Sequence, residues 1–223
     1  MELARRVAVS VAMVALAVAG CTVPTTQVPA TNVPAPRSIA QARQELGTLS
    51  VAPARGSGYQ RTDDFGSAWV LDADHNGCRQ RDDVLRRDLV APQTRGRCIV
   101  VAGTLHDPYT GRTVPFAKAR ADEVQVDHVY PLGLAWRHGA ASWPQQRRVQ
   151  FANDLANLLA TSAAANQKKS DHGPGEWMPR RQYWCAYAVR YIGVADRYAL
   201  SISAADRSAL TSALGTCPAA SAG

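Results

Sequence analysis

The chain has 223 residues and a formal charge of +7, with 46% hydrophobic residues against 19% charged. That length suits one globular domain with extensions and excludes a string of several domains. A basic balance points an exported domain toward nucleic acid, anionic lipid or anionic wall polymer, and charge alone does not choose among them.

Arg5 and Arg6 make a positive start, and residues 7–20 form an apolar run too short for a membrane span. The run ends Leu16-Ala17-Val18-Ala19-Gly20-Cys21, which resembles a bacterial lipobox. The expectation is a lipoprotein signal peptide over 1–20, with Cys21 acylated as the new N-terminus. An ordinary signal peptide cut nearby is the alternative. Either route exports the domain. Losing Glu2, Arg5 and Arg6 leaves 23 basic against 17 acidic residues, a charge of +6. Residues 21–37 are rich in Pro, Thr, Val and Ala with no charge before Arg37, as in a disordered tether.

Five cysteines are an odd number. With Cys21 assigned to lipid, Cys78, Cys98, Cys185 and Cys217 form an even set, which in an exported protein reads as disulfides. Of the three connectivities, Cys78–Cys98 with Cys185–Cys217 is favoured, because each pair brackets a compact segment. No C-x-x-C occurs, so a structural zinc on four cysteines is not expected.

The globular domain is expected over 38–218. Ser38 can cap a helix reaching residue 49, with Ile39, Ala42, Leu46 and Leu49 as its apolar stripe. Residues 52–57 read as loop. The acidic run Asp72-Ala73-Asp74-His75-Asn76-Gly77 is similar to a calcium loop, but the full EF-hand spacing and terminal glutamate read as missing. The preferred reading is a turn fixed by Asn76-Gly77, followed by a helix over 82–89. Arg79, Arg81, Arg86 and Arg87 are candidate phosphate contacts there. The competing account is a solvated basic helix paired with Asp82, Asp83 and Asp88. Residues 98–106 and 112–116 predict a β-hairpin about the turn Asp107-Pro108-Tyr109-Thr110-Gly111, with His106 on the surface.

A short strand carrying Val124, Val126 and Val129 leads into Asp127-His128-Val129-Tyr130-Pro131. Residues 131–141 then turn the chain away, and a helix is expected over 144–155. A second strand runs over 157–161 from Asn157. Ser162 can cap a helix over 163–169, which Gly173-Pro174-Gly175 terminates. Helices over 180–194, bearing Tyr183, Trp184, Tyr187, Val189 and Tyr191, and over 203–214 complete the chain. No internal repeat is visible.

The ordered set Asp127-His128, Asn157, then Asn166 with Lys168 and Lys169 resembles the HNH endonucleases of the ββα-metal class. It is most similar to the HNH domain at the C-terminus of GmrSD-type restriction enzymes, also found in small secreted bacterial proteins. The resemblance implies an α+β fold with a ββα-metal core at about 123–177. Around that core it implies a small mixed domain with an additional β-hairpin and C-terminal helices, the disulfides standing in for zinc.

Phosphodiester hydrolysis needs an activated water and stabilisation of charge at the phosphoryl and leaving oxygens. Imidazole, with a pKa near neutrality, suits His128 to the role of base. A hard divalent ion, magnesium first and manganese second, would take Asp127 and, by the resemblance, Asn166, with His172 as substitute ligand. On an extended strand Asp127 points away from the His128 face, so a shared site needs the strand to bend. Asn157 is expected to bridge the loop and orient the His128 strand. Lys169, on the helical face of Asn166, is placed to contact phosphate, with Lys168 its less favoured neighbour. Against each role stands a structural one: a surface histidine, a turn asparagine, a solvated lysine. Trp136, Trp143, Trp177 and Trp184 read mainly as packing, and His75 and His138 as structural. The reading is a metal-dependent, sequence-tolerant endonuclease acting outside the cytoplasmic membrane, on DNA ahead of RNA. Its alternative is a non-catalytic lipoprotein binding DNA or wall polymer on the same scaffold.

Overall fold

The computed structural model describes residues 37–219 apart from 70, 71 and 73. The expected signal peptide, the tether up to residue 36 and Cys21 lie outside these residues. The described part is mixed α+β, with two small antiparallel sheets and eight α-helices. None of those helices is long and apolar enough to cross a membrane.

Helix α1 (Ile39–Thr48) begins with a reciprocal cap, Ser38 Oγ accepting from Gln41 N while the Gln41 side chain accepts from Ser38 N. Its buried face, Ala42 and Leu46, packs on α7 (Trp184–Tyr198) and α8 (Ala204–Leu214). Ser203 caps α8 in the same reciprocal way with Asp206. Helix α2 (Arg61–Phe65) inserts Phe65 into this same core, and α3 (Gln80–Asp88) sits under the first sheet.

That sheet has the order β1 (Leu89–Arg95), β2 (Ile99–His106), β3 (Thr113–Ala117). The β2–β3 hairpin is the one expected from sequence; β1 is additional. It is an edge strand whose register slips between Val90 and Gln93, where Ala91 adopts φ 47°. A bulged edge tolerates Pro92 and a polar sequence, so the alternation that marks a buried strand is missing.

The second sheet pairs β4 (Val124–His128) with β5 (Leu158–Ser162), in register from Val124↔Ser162 to His128↔Leu158. Between them run α4 (Leu132–Arg137) and α5 (Gln145–Asn153). The turn expected over 131–141 is therefore mostly helix. Pro131 starts α4 at φ −63°, and Leu132, Leu134 and Ala135 are buried. Directly after β5, α6 (Ala163–Lys169) packs back on both strands. It ends at Ser170 (φ 50°), earlier than the expected glycine stop.

Two hydrophobic clusters fill the described domain. One gathers Phe65, Tyr130, Phe151, Tyr187 and Tyr191 among the helices; the other packs Val84, Leu85, Val100 and Phe116 against Val124, Val126 and Leu158. Disulfides join Cys78 to Cys98 and Cys185 to Cys217, the expected pairing.

Candidate active site

The last residue of β4 is His128, whose ring is almost fully buried and stacks on Trp69 with centroids 6.1 Å apart and planes 5° apart. Nε2 lies 2.8 Å from the carbonyl of Ala152 in α5. A carbonyl only accepts, so Nε2 carries the proton and Nδ1 keeps its lone pair in the neutral ring. Burial lowers the pKa from 6.5 to about 4, against the opposing pull of that hydrogen bond and of Asp127. His128 is thus fixed in position and neutral at physiological pH.

Asp127, one residue earlier, leaves the other face of the strand. Its Oδ2 accepts from Tyr109 Oη at 2.6 Å and its Oδ1 from Lys169 Nζ at 3.0 Å. Lys169 also donates to the His128 carbonyl at 2.8 Å and is 0% exposed. Burial lowers the lysine pKa while Asp127 pulls it back up. Burial and the nearby Asp127 hold the Tyr109 hydroxyl well above its ordinary pKa, so it remains a donor. The phosphate contact expected of Lys169 gives way to an internal one: its ammonium ties α6 to β4 through the residues on both sides of the Asp127–His128 peptide.

Asn157, also 0% exposed, grips the strand from the partner side. Its backbone carbonyl accepts from Val129 N at 2.8 Å. Its side-chain Oδ1 accepts from Tyr130 N at 2.7 Å and Nδ2 donates to Tyr130 O at 3.1 Å. The β4–β5 ladder is thereby extended past His128 by a side chain, in the bridging position assigned to Asn157. The turn preceding β5 is held by two arginines. Arg87 of α3 and Arg190 of α7 both donate to the carbonyls of Leu155 and Leu158, and Arg190 also to Ala156.

His128 opens on a cleft of about 380 Å³ whose wall includes Tyr59, Arg61, Asp127, Asn166, Gly133 and Asp171. Gly133 is small by necessity, since a Cβ there would lie 2.9 Å from Asp171 Oδ2. Asn166 Nδ2 donates to Gln125 Oε1 at 2.8 Å, which leaves its carbonyl oxygen for other use. Asp171 pairs with Arg137 at 2.9 Å; burial raises its pKa, but that pairing outweighs it and the net shift is downward. The expected substitute ligand His172 is exposed and is not part of this wall, because the chain reverses at Ser170. Lys168 is exposed on the outer side of α6.

The arginines near Cys78 divide. Arg81 is half-buried and donates to the carbonyls of Ala121 and Val124, so it braces β4 rather than facing a ligand. Arg86 is exposed but reaches the carbonyls of Arg97 and Cys98, and Arg79 is exposed at the start of α3. Sequence reasoning passed over Arg61, Tyr59, Trp69, Asp171 and Tyr109. Arg61 and Tyr59 stand outside any motif, and only the fold brings them to the cleft.

The sequence matches the family described as GmrSD restriction endonucleases, C-terminal domain, over residues 79–213. The chain belongs to this family. The match spans β4, β5 and α6, and so covers Asp127, His128, Asn157, Asn166 and Lys169. An uncharacterized secreted protein of Arthroderma benhamiae is 42% identical over 184 residues, covering 81% of this chain and 86% of the relative. No solved structure matches. Membership of a GmrSD C-terminal family makes this a nuclease-related domain.

Nucleases often borrow a metal, so the donor set of this GmrSD-type cleft matters. Among the described residues no three His, Cys, Asp or Glu side chains converge to enclose an ion. The cleft wall nevertheless carries the Asn166 amide oxygen and the Asp127 carboxylate, each of whose oxygens accepts a single hydrogen bond. Magnesium typically takes one or two carboxylates plus substrate phosphate and keeps several waters. Oxygen donors in that number fit such an ion.

Proposed function

We propose that this protein is a metal-dependent endonuclease of the HNH type, cutting DNA ahead of RNA with little sequence preference outside the cytoplasmic membrane. The observation that carries the reading is His128, anchored through Nε2 to Ala152 O and neutral, with Nδ1 free to accept a proton at the cleft. A water attacks phosphorus and gives its proton to Nδ1 while the bond from phosphorus to the 3′ oxygen breaks. General-base help of this kind is worth roughly 10²–10⁴-fold. An arriving phosphodiester anion raises the imidazole pKa toward neutrality, where a base works best. Asp127 and Asn166 would hold a divalent ion, magnesium or manganese, which when bound neutralises charge on the phosphoryl oxygens. Lys169 and Asn157 act behind the site, fixing the backbone on either side of His128. Arg61, exposed on the wall, is the side chain best placed to meet a phosphate.

Export is supported by the two disulfides and by the relative's description as secreted, and lipid anchoring by the Leu16-to-Cys21 pattern. The deciding experiment is cleavage of supercoiled plasmid by the oxidised chain, with and without magnesium or manganese, beside His128→Ala. The expected result is metal-dependent nicking that His128→Ala loses while still binding DNA. Equal cutting by both proteins, or none by either, leaves the non-catalytic DNA-binding or polymer-binding lipoprotein as the better account.

A further inference from the structure

Beside His128, the described cleft wall carries one further aromatic ring, Tyr59, which the hydrolysis itself does not use. It comes from a loop, residues 52–60, rather than from a strand or helix. Gly58 turns that loop with φ 77°, and a Cβ there would meet nothing within 4 Å, so glycine serves conformation here and not space. On one side the loop is held by α4: Arg55 N donates to Arg137 O at 2.9 Å, and Trp136 Nε1 to Ser57 O at 3.3 Å. On the other, Gln60 N donates to Asp64 Oδ2 at 2.7 Å and ties the loop to α2.

The ring itself is fixed as well. It meets Phe65 edge-on with centroids 6.0 Å apart, and Trp136 at 6.4 Å. Its Cδ1–Cε1 edge lies over Gly133, where a Cβ would come within 3.4 and 3.3 Å of those two atoms. These contacts leave the ring half-buried at the cleft, between exposed Gly58 and Gln60. Two residues on, Arg61 is exposed on the same wall. The Asp171 carboxylate of this wall is paired with Arg137 at 2.9 Å, which offsets its repulsion of an anionic strand. An aromatic ring beside a guanidinium matches the two parts of a nucleotide, a base with a π face and a phosphate.

The size of the cleft bears on the form of nucleic acid. About 380 Å³ holds a nucleotide and not a section of double helix. Inside a duplex each base face is covered by its neighbours, so a protein ring stacks only on a base outside the helical stack. We propose, resting on the nuclease reading of this cleft, that Tyr59 is a specificity-determining residue. Its ring stacks on the base of the nucleotide whose phosphate meets Arg61, and so selects unpaired strands, or locally opened duplex, over closed duplex. A ring fixed in advance binds without the ordering cost of a mobile side chain. Every base has a π face, so the contact adds affinity without sequence preference.

The test is fluorescence anisotropy with the full oxidised chain in EDTA, which withholds the metal. The probes are a short labelled thymidine strand, an abasic strand of the same length, and a blunt duplex of that length. Wild type should hold the thymidine strand more tightly than the other two. Tyr59→Leu keeps apolar bulk against Phe65 and Trp136 but removes the π face. It should bind the thymidine strand roughly 5- to 150-fold more weakly and the duplex as wild type does. Tyr59→Phe should keep the wild-type affinity, since only the hydroxyl is lost. A ring that merely held the loop would lower affinity for strand and duplex together. The abasic strand gives a reading that needs no folded variant, because it offers the same phosphates without a base to stack. Wild type binding the thymidine strand no better than the duplex or the abasic strand, or Tyr59→Leu losing nothing or losing equally on strand and duplex, overturns the proposal and leaves the nuclease reading standing. Wild type that binds no probe removes that reading, and this proposal with it.

Discussion

Replacing Lys169 by methionine separates an internal strut from a phosphate contact. The side chain is 0% exposed and its ammonium reaches Asp127 Oδ1 at 3.0 Å and the His128 carbonyl at 2.8 Å. Methionine fills similar space but leaves Asp127, only 4% exposed, with Tyr109 as its remaining side-chain donor. Removing one partner of a buried pair costs about 3–5 kcal/mol, much of it from the stranded charge. Asp127→Asn/Lys169→Met removes that charge as well, so the double variant should recover a large part of the loss. Urea unfolding of the oxidised proteins gives all four corners of the cycle. A cost below about 1 kcal/mol for Lys169→Met, the size expected of an exposed lysine, would refute the strut. So would a DNA-binding salt dependence that falls by about 0.9 in slope, the signature of one lost phosphate contact.

His128 keeps its neutral form in the folded protein down to about pH 4, whereas the unfolded chain protonates it near 6.5. The unfolded state therefore binds more protons between those values, and stability should fall as pH drops through that window, by up to about 3 kcal/mol. His128→Gln should flatten this part of a stability–pH curve. Asn157→Ala strands the Tyr130 N–H and C=O, costing about 1–3 kcal/mol for each buried group, and chemical denaturation should show it alongside a reduced cleavage rate. Arg61→Ala should leave Tm unchanged and lower the salt slope of DNA binding by about 0.9; an unaltered slope places phosphate elsewhere.

Local chemistry explains what the sequence disclosed. Ser38 and Ser203 cap helices through residues three positions on, the β2–β3 hairpin follows from its turn, and β4 and β5 from their short apolar runs. What escaped depends on distant partners. The i,i+3 spacing puts Lys169 on the face of Asn166, but says nothing of whether that face meets solvent; Asp127, 42 residues away, decides it. Arg81, Arg87 and Arg190 look like phosphate ligands by type and spend their donors on backbone carbonyls 32–71 residues distant. Asp83 lies in the helix expected there, and its carboxylate also accepts from Asn76 Nδ2 at 2.9 Å, a contact the helical pattern does not reveal.

Arg190 also sets an order of events. The carbonyls of residues 155, 156 and 158 accept its donors from α7, 32–35 residues later in the chain. A chain emerging N-terminus first can make both strands of the His128 pair before it has Arg190 to fasten the turn that leads into β5. Long-range contacts of this kind form only after their loop closes. Docking of α7 is then the step that completes the site, and the Cys185–Cys217 bridge, which joins α7 to the chain after α8, comes later still. The strand that ends at His128 is thus available early, and its final brace comes last.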